Sequence, residues 1–151
     1  MDPELSRRRF ERDVEPLLAP GVESTGIRIL RFSPPTLIVG MAWPLIDEEM
    51  LLCIDGTDYD WSPIEGWWVT DDTGTVPRMQ RIPNGGGFQT AANVYGDPRS
   101  WLCFRGWRAY HEHNGHHTDR WVIHRGDARY RVAALVHQLA ADLRKQGVTV
   151  Q

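Results

Sequence analysis

The sequence predicts an α+β protein in which a four-stranded antiparallel sheet lies between an N-terminal and a C-terminal helix. Three observations lead to this fold class. Apolar residues recur at helical spacing near both ends of the chain, short apolar runs fill the region between them, and turn-forming residues separate those runs. The connections between runs are too short for the crossovers that parallel strands need. We therefore expect a meander with helices packed on one face.

The first predicted element is an amphipathic helix over about Leu5 to Leu18, closed by Pro20 and Gly21. Its apolar stripe consists of Leu5, Phe10, Val14, Leu17 and Leu18. The last predicted element is a helix within residues 129–147, which ends at a glycine. Its stripe consists of Val132, Leu135, Val136, Leu139 and Leu143.

Four apolar runs between the helices predict the strands: "GIRILRF", "TLIVGMAWP", "EMLLCIDG" and "GWWVTDD". The sequence "IDEE" at residues 46–49 is expected to form a hairpin turn, and Cys53 is expected to be a buried strand residue. Neighbouring side chains of a strand face opposite ways, so Trp67 and Trp68 should lie on different faces of the sheet. From Pro77 to Arg99 the chain has no periodicity, which predicts an irregular loop.

Length, charge and hydropathy exclude several classes of protein. With 151 residues, we expect one domain over residues 1–151, with an inserted Cys/Glu/His segment at 101–121. A net charge of -3 gives no basic face for nucleic acid, so no nucleic-acid partner is expected. No apolar run is long enough to cross a bilayer, and the first residues lack a signal-peptide core. We expect a soluble, cytoplasmic protein with no membrane partner.

The stretch "SWLCFRGWRAYHEHNGHHTDRW" carries the candidate functional residues. It contains Cys103, Glu112 and four histidines between positions 111 and 117. Thiolate, imidazole and carboxylate groups are ligands for zinc. If "RAYHEH" were a strand, His111 and His113 would share one face and Glu112 the other, whereas a loop would relax this constraint.

Two further interpretations of this stretch stay open beside the zinc site. Cys103 could be a nucleophile whose pKa is lowered by Arg105, Arg108 or the histidines. It could also be an inert buried cysteine, with the histidines in a solvated loop.

The order of elements resembles the ubiquitin-conjugating-enzyme fold, and three short motifs add to the resemblance. "YDWSPIEGWWVTD" is similar to that family's proline-rich junction into its fourth strand, and "IPN" at 82–84 is similar to its "HPN", with Ile82 in place of histidine. "WLCF" at 101–104 stands where the family's active cysteine is expected. This resemblance implies a carrier enzyme that forms a thioester at Cys103.

The histidine-rich stretch also resembles a bacterial family described as a predicted metal-binding domain of the Cys-Glu-His-His type. That resemblance implies a zinc site built from Cys103, Glu112 and two of the histidines at 111, 113, 116 and 117. The ligand set we expect is Cys103, His111, Glu112, His113 and His117. It further implies an operon of ubiquitin-like conjugation, of the kind associated with antiviral defence.

Three functions follow as hypotheses. The first is a zinc-binding accessory component of a bacterial ubiquitin-like conjugation pathway. The second is a conjugating-type carrier that uses Cys103, and the third is a non-catalytic module that binds its partner through tryptophan-rich surface. In each case the expected partner is a ubiquitin-like modifier or its activating or conjugating enzymes.

Overall fold

A four-stranded antiparallel sheet forms the centre of the protein. The structure, a computed structural model, describes residues 1–78, 81–91 and 93–151. The strands are β1 (Ile27–Ser33), β2 (Thr36–Trp43), β3 (Glu48–Asp55) and β4 (Glu65–Val69), and they pair in the order β1-β2-β3-β4. All three pairings are antiparallel, which confirms the predicted meander.

The helices are α1 (Pro3–Val14), α2 (Arg108–Glu112), α3 (Trp121–His124) and α4 (Val132–Asp142). The two longest, α1 and α4, lie near the ends of the chain and confirm the predicted α+β class. Both are shorter than predicted. Helix α1 passes into a 3-10 turn at Glu15–Leu18, because Pro16 has no backbone N–H to continue the α-helical ladder. A 3-10 turn at Ala128–Tyr130 precedes α4.

The sheet is apolar on both faces, but only one face carries the main core. Leu37, Val39, Met41, Leu52, Ile54 and Trp68 lie in one cluster with residues of α1 and α4. The alternate residues Ile38, Cys53 and Val69 form a small second cluster, with Trp67 partly buried against it. This alternation follows from the two-residue period of a strand. It confirms that Cys53 is buried and that Trp67 and Trp68 face opposite ways.

The region predicted as an irregular loop contains short paired strands instead. Strand β5 (Pro83–Asn84) pairs with β8 (Thr149–Val150), and β6 (Phe88–Gln89) pairs with β7 (Trp101–Leu102). The backbone N–H of Gln151 also donates to the carbonyl oxygen of Ile82, at 2.9 Å. Two-residue strands are too short to give a period, so the sequence pattern could not indicate them. Part of the predicted loop, Met79, Gln80 and Ala92, lies outside the described residues.

Within the described residues, no helix has both the length and the apolar character needed to cross a membrane.

Candidate functional site

The histidine-rich segment, Trp101 to Arg125, is attached to the end of the sheet where β4 begins. The backbone N–H of Arg108 donates to the carbonyl oxygen of Ile64 at 2.7 Å, and the ring of Trp107 is 2% exposed. That ring lies against Gly66, where an added Cβ would stand 2.7 Å from the Trp107 ring. Glycine at position 66 therefore allows the indole to approach the strand.

The sequence "RAYHEH" begins as a helix, so the strand and loop alternatives for it were both wrong. Helix α2 spans Arg108–Glu112 and is followed by a 3-10 turn at Asn114–His116. The chain enters it through Gly106, which has a φ of 101°, a value that favours glycine. Successive helical residues point about 100° apart, so His111 and Glu112 project in different directions.

Cys103 lies directly after β7 and pairs with a histidine that follows α2. Its backbone N–H donates to the carbonyl oxygen of Gly87 at 2.7 Å, which fixes the cysteine beside the glycine-rich turn. Its side chain is only partly buried. The distance from Cys103 Sγ to His116 Nε2 is 3.6 Å, within the range of a hydrogen bond to sulfur. The structure therefore places a thiol–imidazole pair at the surface.

The interpretation of Cys103 as a nucleophile called for a lowered pKa, whereas burial raises the pKa of this thiol. The two arginines expected to lower it are engaged elsewhere. Arg105 Nε donates to Asp119 at 2.8 Å, and Arg108 donates to backbone carbonyls of Pro63 and Thr57. A positive charge lowers a thiol pKa only when it is close to the sulfur.

His111 is tied to the backbone through both ring nitrogens. Its Nδ1–H donates to the carbonyl oxygen of Asp119 at 2.7 Å, and its Nε2 accepts from the N–H of Gly106 at 3.0 Å. Burial lowers the pKa of His111, which agrees with a neutral ring. Both ring nitrogens of His111 are thus engaged, and the ring links the backbone at Gly106 to the backbone at Asp119.

The other predicted ligands point to different places. His113 stacks on Trp101 with ring centroids 5.7 Å apart, and its Nδ1 accepts from Gly115 N–H. His117 is exposed, and its Nδ1–H donates to the carbonyl oxygen of Asn114 at 2.8 Å. Glu112 is exposed and lies beside Tyr95, whose pKa is raised by burial and then by this carboxylate.

The five predicted zinc ligands therefore do not converge on one point. In residues 1–78, 81–91 and 93–151, no three histidine, cysteine, aspartate or glutamate side chains are placed to hold one ion. One pair does fit. Zinc bonds of about 2.3 Å to sulfur and about 2.1 Å to nitrogen, at a tetrahedral angle, hold the two ligand atoms about 3.6 Å apart. Cys103 Sγ and His116 Nε2 have this separation.

A second cluster beside the thiol was not predicted as a site. The carboxylate of Asp119 accepts hydrogen bonds from Tyr110 at 2.6 Å, from Arg105 at 2.8 Å and from His124 at 2.5 Å. These bonds lower the pKa of Asp119, led by the bond from His124, so the carboxylate is ionised at neutral pH. The Tyr110 ring in turn stacks on His116, with centroids 4.0 Å apart. The sequence signal was the concentration of titratable residues continuing past His117 to His124.

No protein-family model matches this chain, and no curated protein matches it. The two family resemblances of the sequence therefore stay predictions.

Proposed function

We propose that this protein is a carrier of the ubiquitin-conjugating type, which holds the C-terminal acyl group of a ubiquitin-like modifier as a thioester on Cys103. The observation that carries the proposal is the pair of a partly exposed Cys103 Sγ and His116 Nε2, 3.6 Å apart. A thiol nucleophile needs access to its substrate and a nearby group that accepts its proton. Both requirements are met at Cys103.

The chemistry needs only an exchange of thioesters. The sulfur of Cys103 attacks the carbonyl carbon of the modifier, which arrives as a thioester on its activating enzyme. A new C–S bond forms, the bond to the donor sulfur breaks, and the donor leaves as a thiol. With the proton of His116 on Nδ1, its Nε2 accepts the proton of Cys103 and returns it to the leaving sulfur. A thiol with a raised pKa is a poor nucleophile while it stays protonated, so the reaction needs His116 Nε2 to accept its proton.

The arrangement of the chain supports the same function. A helix, a four-stranded meander, a segment with the cysteine and a further helix follow one another, as the resemblance to conjugating enzymes implies. His111, His113 and His117 bond to backbone groups, so they hold the shape of the segment around the thiol. A protein substrate also suits an exposed thiol better than a small molecule, which needs an enclosing pocket.

The test mixes the purified protein with the activating enzyme and modifier of its own operon, and with ATP. We expect an adduct of protein and modifier that is cleaved by a thiol reductant. Cys103→Ala should abolish the adduct, and Cys53→Ala, which alters a buried cysteine on the other face of the sheet, should leave it intact. His116→Gln should slow its formation by about a hundredfold, the usual contribution of a positioned proton acceptor. The proposal fails if the activating enzyme forms its own thioester with the modifier but no adduct appears on this protein.

A second candidate function is the zinc-binding accessory component, and one observation favours it. Cys103 Sγ and His116 Nε2 have the separation of two ligands on a tetrahedral zinc ion. These two residues would hold the ion, and zinc bound there would tie the segment after β7 to the turn after α2.

Elemental analysis separates the two functions. The zinc-binding function predicts about one equivalent of zinc per chain, lost in both Cys103→Ser and His116→Gln. His117→Gln is the matched control, since His117 is exposed and bonds only to a nearby carbonyl. Zinc content that does not change in the first two variants would exclude this site.

A further inference from the structure

The orientation of His116 depends on residues that do not touch the thiol themselves. Its ring lies almost parallel to that of Tyr110, with an interplanar angle of 18° and a centroid separation of 4.0 Å. The tyrosine hydroxyl donates to Asp119 Oδ2 at 2.6 Å. An imidazole on a turn can occupy several staggered rotamers unless its neighbours select one. Tyr110 supplies that restriction on one face of the ring.

Asp119 fixes Tyr110 and the turn that carries His116 at the same time. Besides the tyrosine hydroxyl, its carboxylate accepts from Arg105 and His124, and its backbone N–H donates to the carbonyl oxygen of His116 at 2.9 Å. Bonds to an ionised acceptor are shorter and stronger than bonds between neutral groups. Three such bonds on one carboxylate hold it firmly, although its side chain is 21% exposed.

We propose that Asp119 and Tyr110 are positioning residues, which hold the His116 imidazole beside the Cys103 thiol. This inference rests on the proposed function only for its kinetic consequence. The chain of contacts runs from the Asp119 carboxylate to the Tyr110 hydroxyl, from the Tyr110 ring to the His116 ring, and from His116 Nε2 to Cys103 Sγ. A proton acceptor displaced by about 1 Å loses much of its effect, so the cluster sets the rate at which Cys103 reacts.

The structural part is tested by NMR of the protein with labelled histidine, with the His116 signals assigned from His116→Gln. A stacked tyrosine ring shifts the ring-proton signals of its neighbour upfield. Tyr110→Leu removes the ring, and Asp119→Ala removes the anchor. Both should move the His116 signals toward those of the exposed His117. Asp127→Ala is the matched control, because Asp127 also pairs with an arginine, Arg129, but belongs to the turn before α4.

A third, more conservative variant is used in case Tyr110→Leu and Asp119→Ala do not fold. Tyr110→Phe keeps the ring and loses only the bond to Asp119, so it should move the His116 signals in the same direction by a smaller amount. Unchanged signals in Tyr110→Leu and Asp119→Ala would overturn the inference. If neither of these folds, unchanged signals in Tyr110→Phe would overturn it.

The kinetic part uses single-turnover formation of the thioester. Asp119→Ala and Tyr110→Leu should lower the rate at saturating donor at least about tenfold, with the donor concentration for half-maximal rate unchanged, because only the proton acceptor is misplaced. A changed half-saturation with an unchanged maximal rate would contradict a positioning role. If the wild type forms no thioester but the His116 signals move as expected, the carrier function fails and the positioning inference stands.

Discussion

Different interactions order two parts of the molecule. One part is the sheet with α1 and α4, and the other is the segment from Trp101 to Arg125. In the sheet, strands of five to eight residues alternate between two faces, and one face is buried against both long helices. Leu102 and Trp107 anchor the segment in the same core, but it has only short helices and a two-residue strand, and the rest of its order comes from side chains bonded to backbone groups and to Asp119. Apolar burial depends on area, whereas hydrogen bonds depend on distance and angle.

This difference bears on why the proposed reactive pair, Cys103 and His116, lies in the segment. Apolar burial is non-directional, so it does not by itself select one orientation of a polar group. Hydrogen bonds to backbone groups fix a ring to within a few tenths of an ångström. The sheet therefore supplies stability, and the segment supplies the geometry at Cys103. Four predictions test this division.

The largest effect is expected at Trp68, which is 1% exposed in the main core. Trp68→Ala should lower the free energy of unfolding by about 3–5 kcal/mol, because it removes a large buried side chain and leaves a cavity. Urea unfolding followed by circular dichroism measures it. Trp61→Ala is the control: Trp61 is 64% exposed, and its loss should cost under about 1 kcal/mol. Equal losses would mean that the core does not dominate stability.

Gly66 joins the two regions, so its substitution should affect both. A Cβ at position 66 would meet the Trp107 ring at 2.7 Å, and the indole must move to admit it. Gly66→Ala should cost about 1–3 kcal/mol, the range for an overfilled contact. It should also change the rate at which iodoacetamide alkylates Cys103. Gly74→Ala is the comparison: its Cβ would meet no atom, but its positive φ is unfavourable for alanine, so any loss there comes from the backbone and not from a contact. A Gly66→Ala protein with unchanged stability and alkylation would show that the regions are independent.

His111 should stabilise the segment and leave the sheet unaffected. His111→Ala leaves the N–H of buried Gly106 and the carbonyl of Asp119 without their partner, which costs about 1–3 kcal/mol. Hydrogen exchange should become faster in residues 104–124 and stay the same in β2 and β3. His117→Ala, at an exposed histidine, should change stability by less than about 0.5 kcal/mol. Faster hydrogen exchange throughout the sheet would contradict a stabilising effect of His111 that is confined to the segment.

The smallest effect concerns the pH dependence of the two cysteines. Burial raises both pKa values, that of Cys53 to about 11, so both are thiols at neutral pH. The alkylation rate of Cys103 should rise about tenfold per pH unit up to its raised pKa, because the thiolate is the nucleophile. Cys53 should react more slowly at every pH. Mass spectrometry measures both rates. A rate for Cys103 that levels off near neutral pH would show a lowered pKa.

The same shift links pH to stability. Since the folded pKa of Cys53 is raised, its neutral thiol favours the folded state fully below the unfolded pKa. That contribution is lost as the pH rises through about 11.

The fold could be predicted from the sequence because its elements repeat a simple period over many residues. Strands β1 to β4 are bounded by turns, and α1 and α4 carry apolar stripes, so each pattern has enough residues to be distinctive. The predicted ends of the helices were less accurate, since Pro16 converts the last turn of the predicted first helix into a 3-10 turn. Strands of two residues, such as β5 and β6, have no detectable period.

The site was predicted only in outline. The concentration of histidines pointed to the segment in which the proposed pair lies, and the structure leaves Cys103 partly exposed, which was one of the alternatives that the sequence left open. Residue types alone could not show that His111 bonds to the backbone, that Arg105 faces Asp119, or that His116 is the partner of Cys103. These choices depend on α2, which is five residues long and too short for a periodic signal.

The pairing of β5 with β8 makes residues 148–151 part of the support for the Cys103 thiol. They hold Ile82 to Asn84, the following glycine turn leads into β6, and Gly87 binds the backbone of Cys103. A protease that cut the chain after Gly147 would therefore release the turn beneath the thiol without touching the sheet. For the same reason, substitutions within residues 148–151 would disturb a site more than forty residues earlier in the chain.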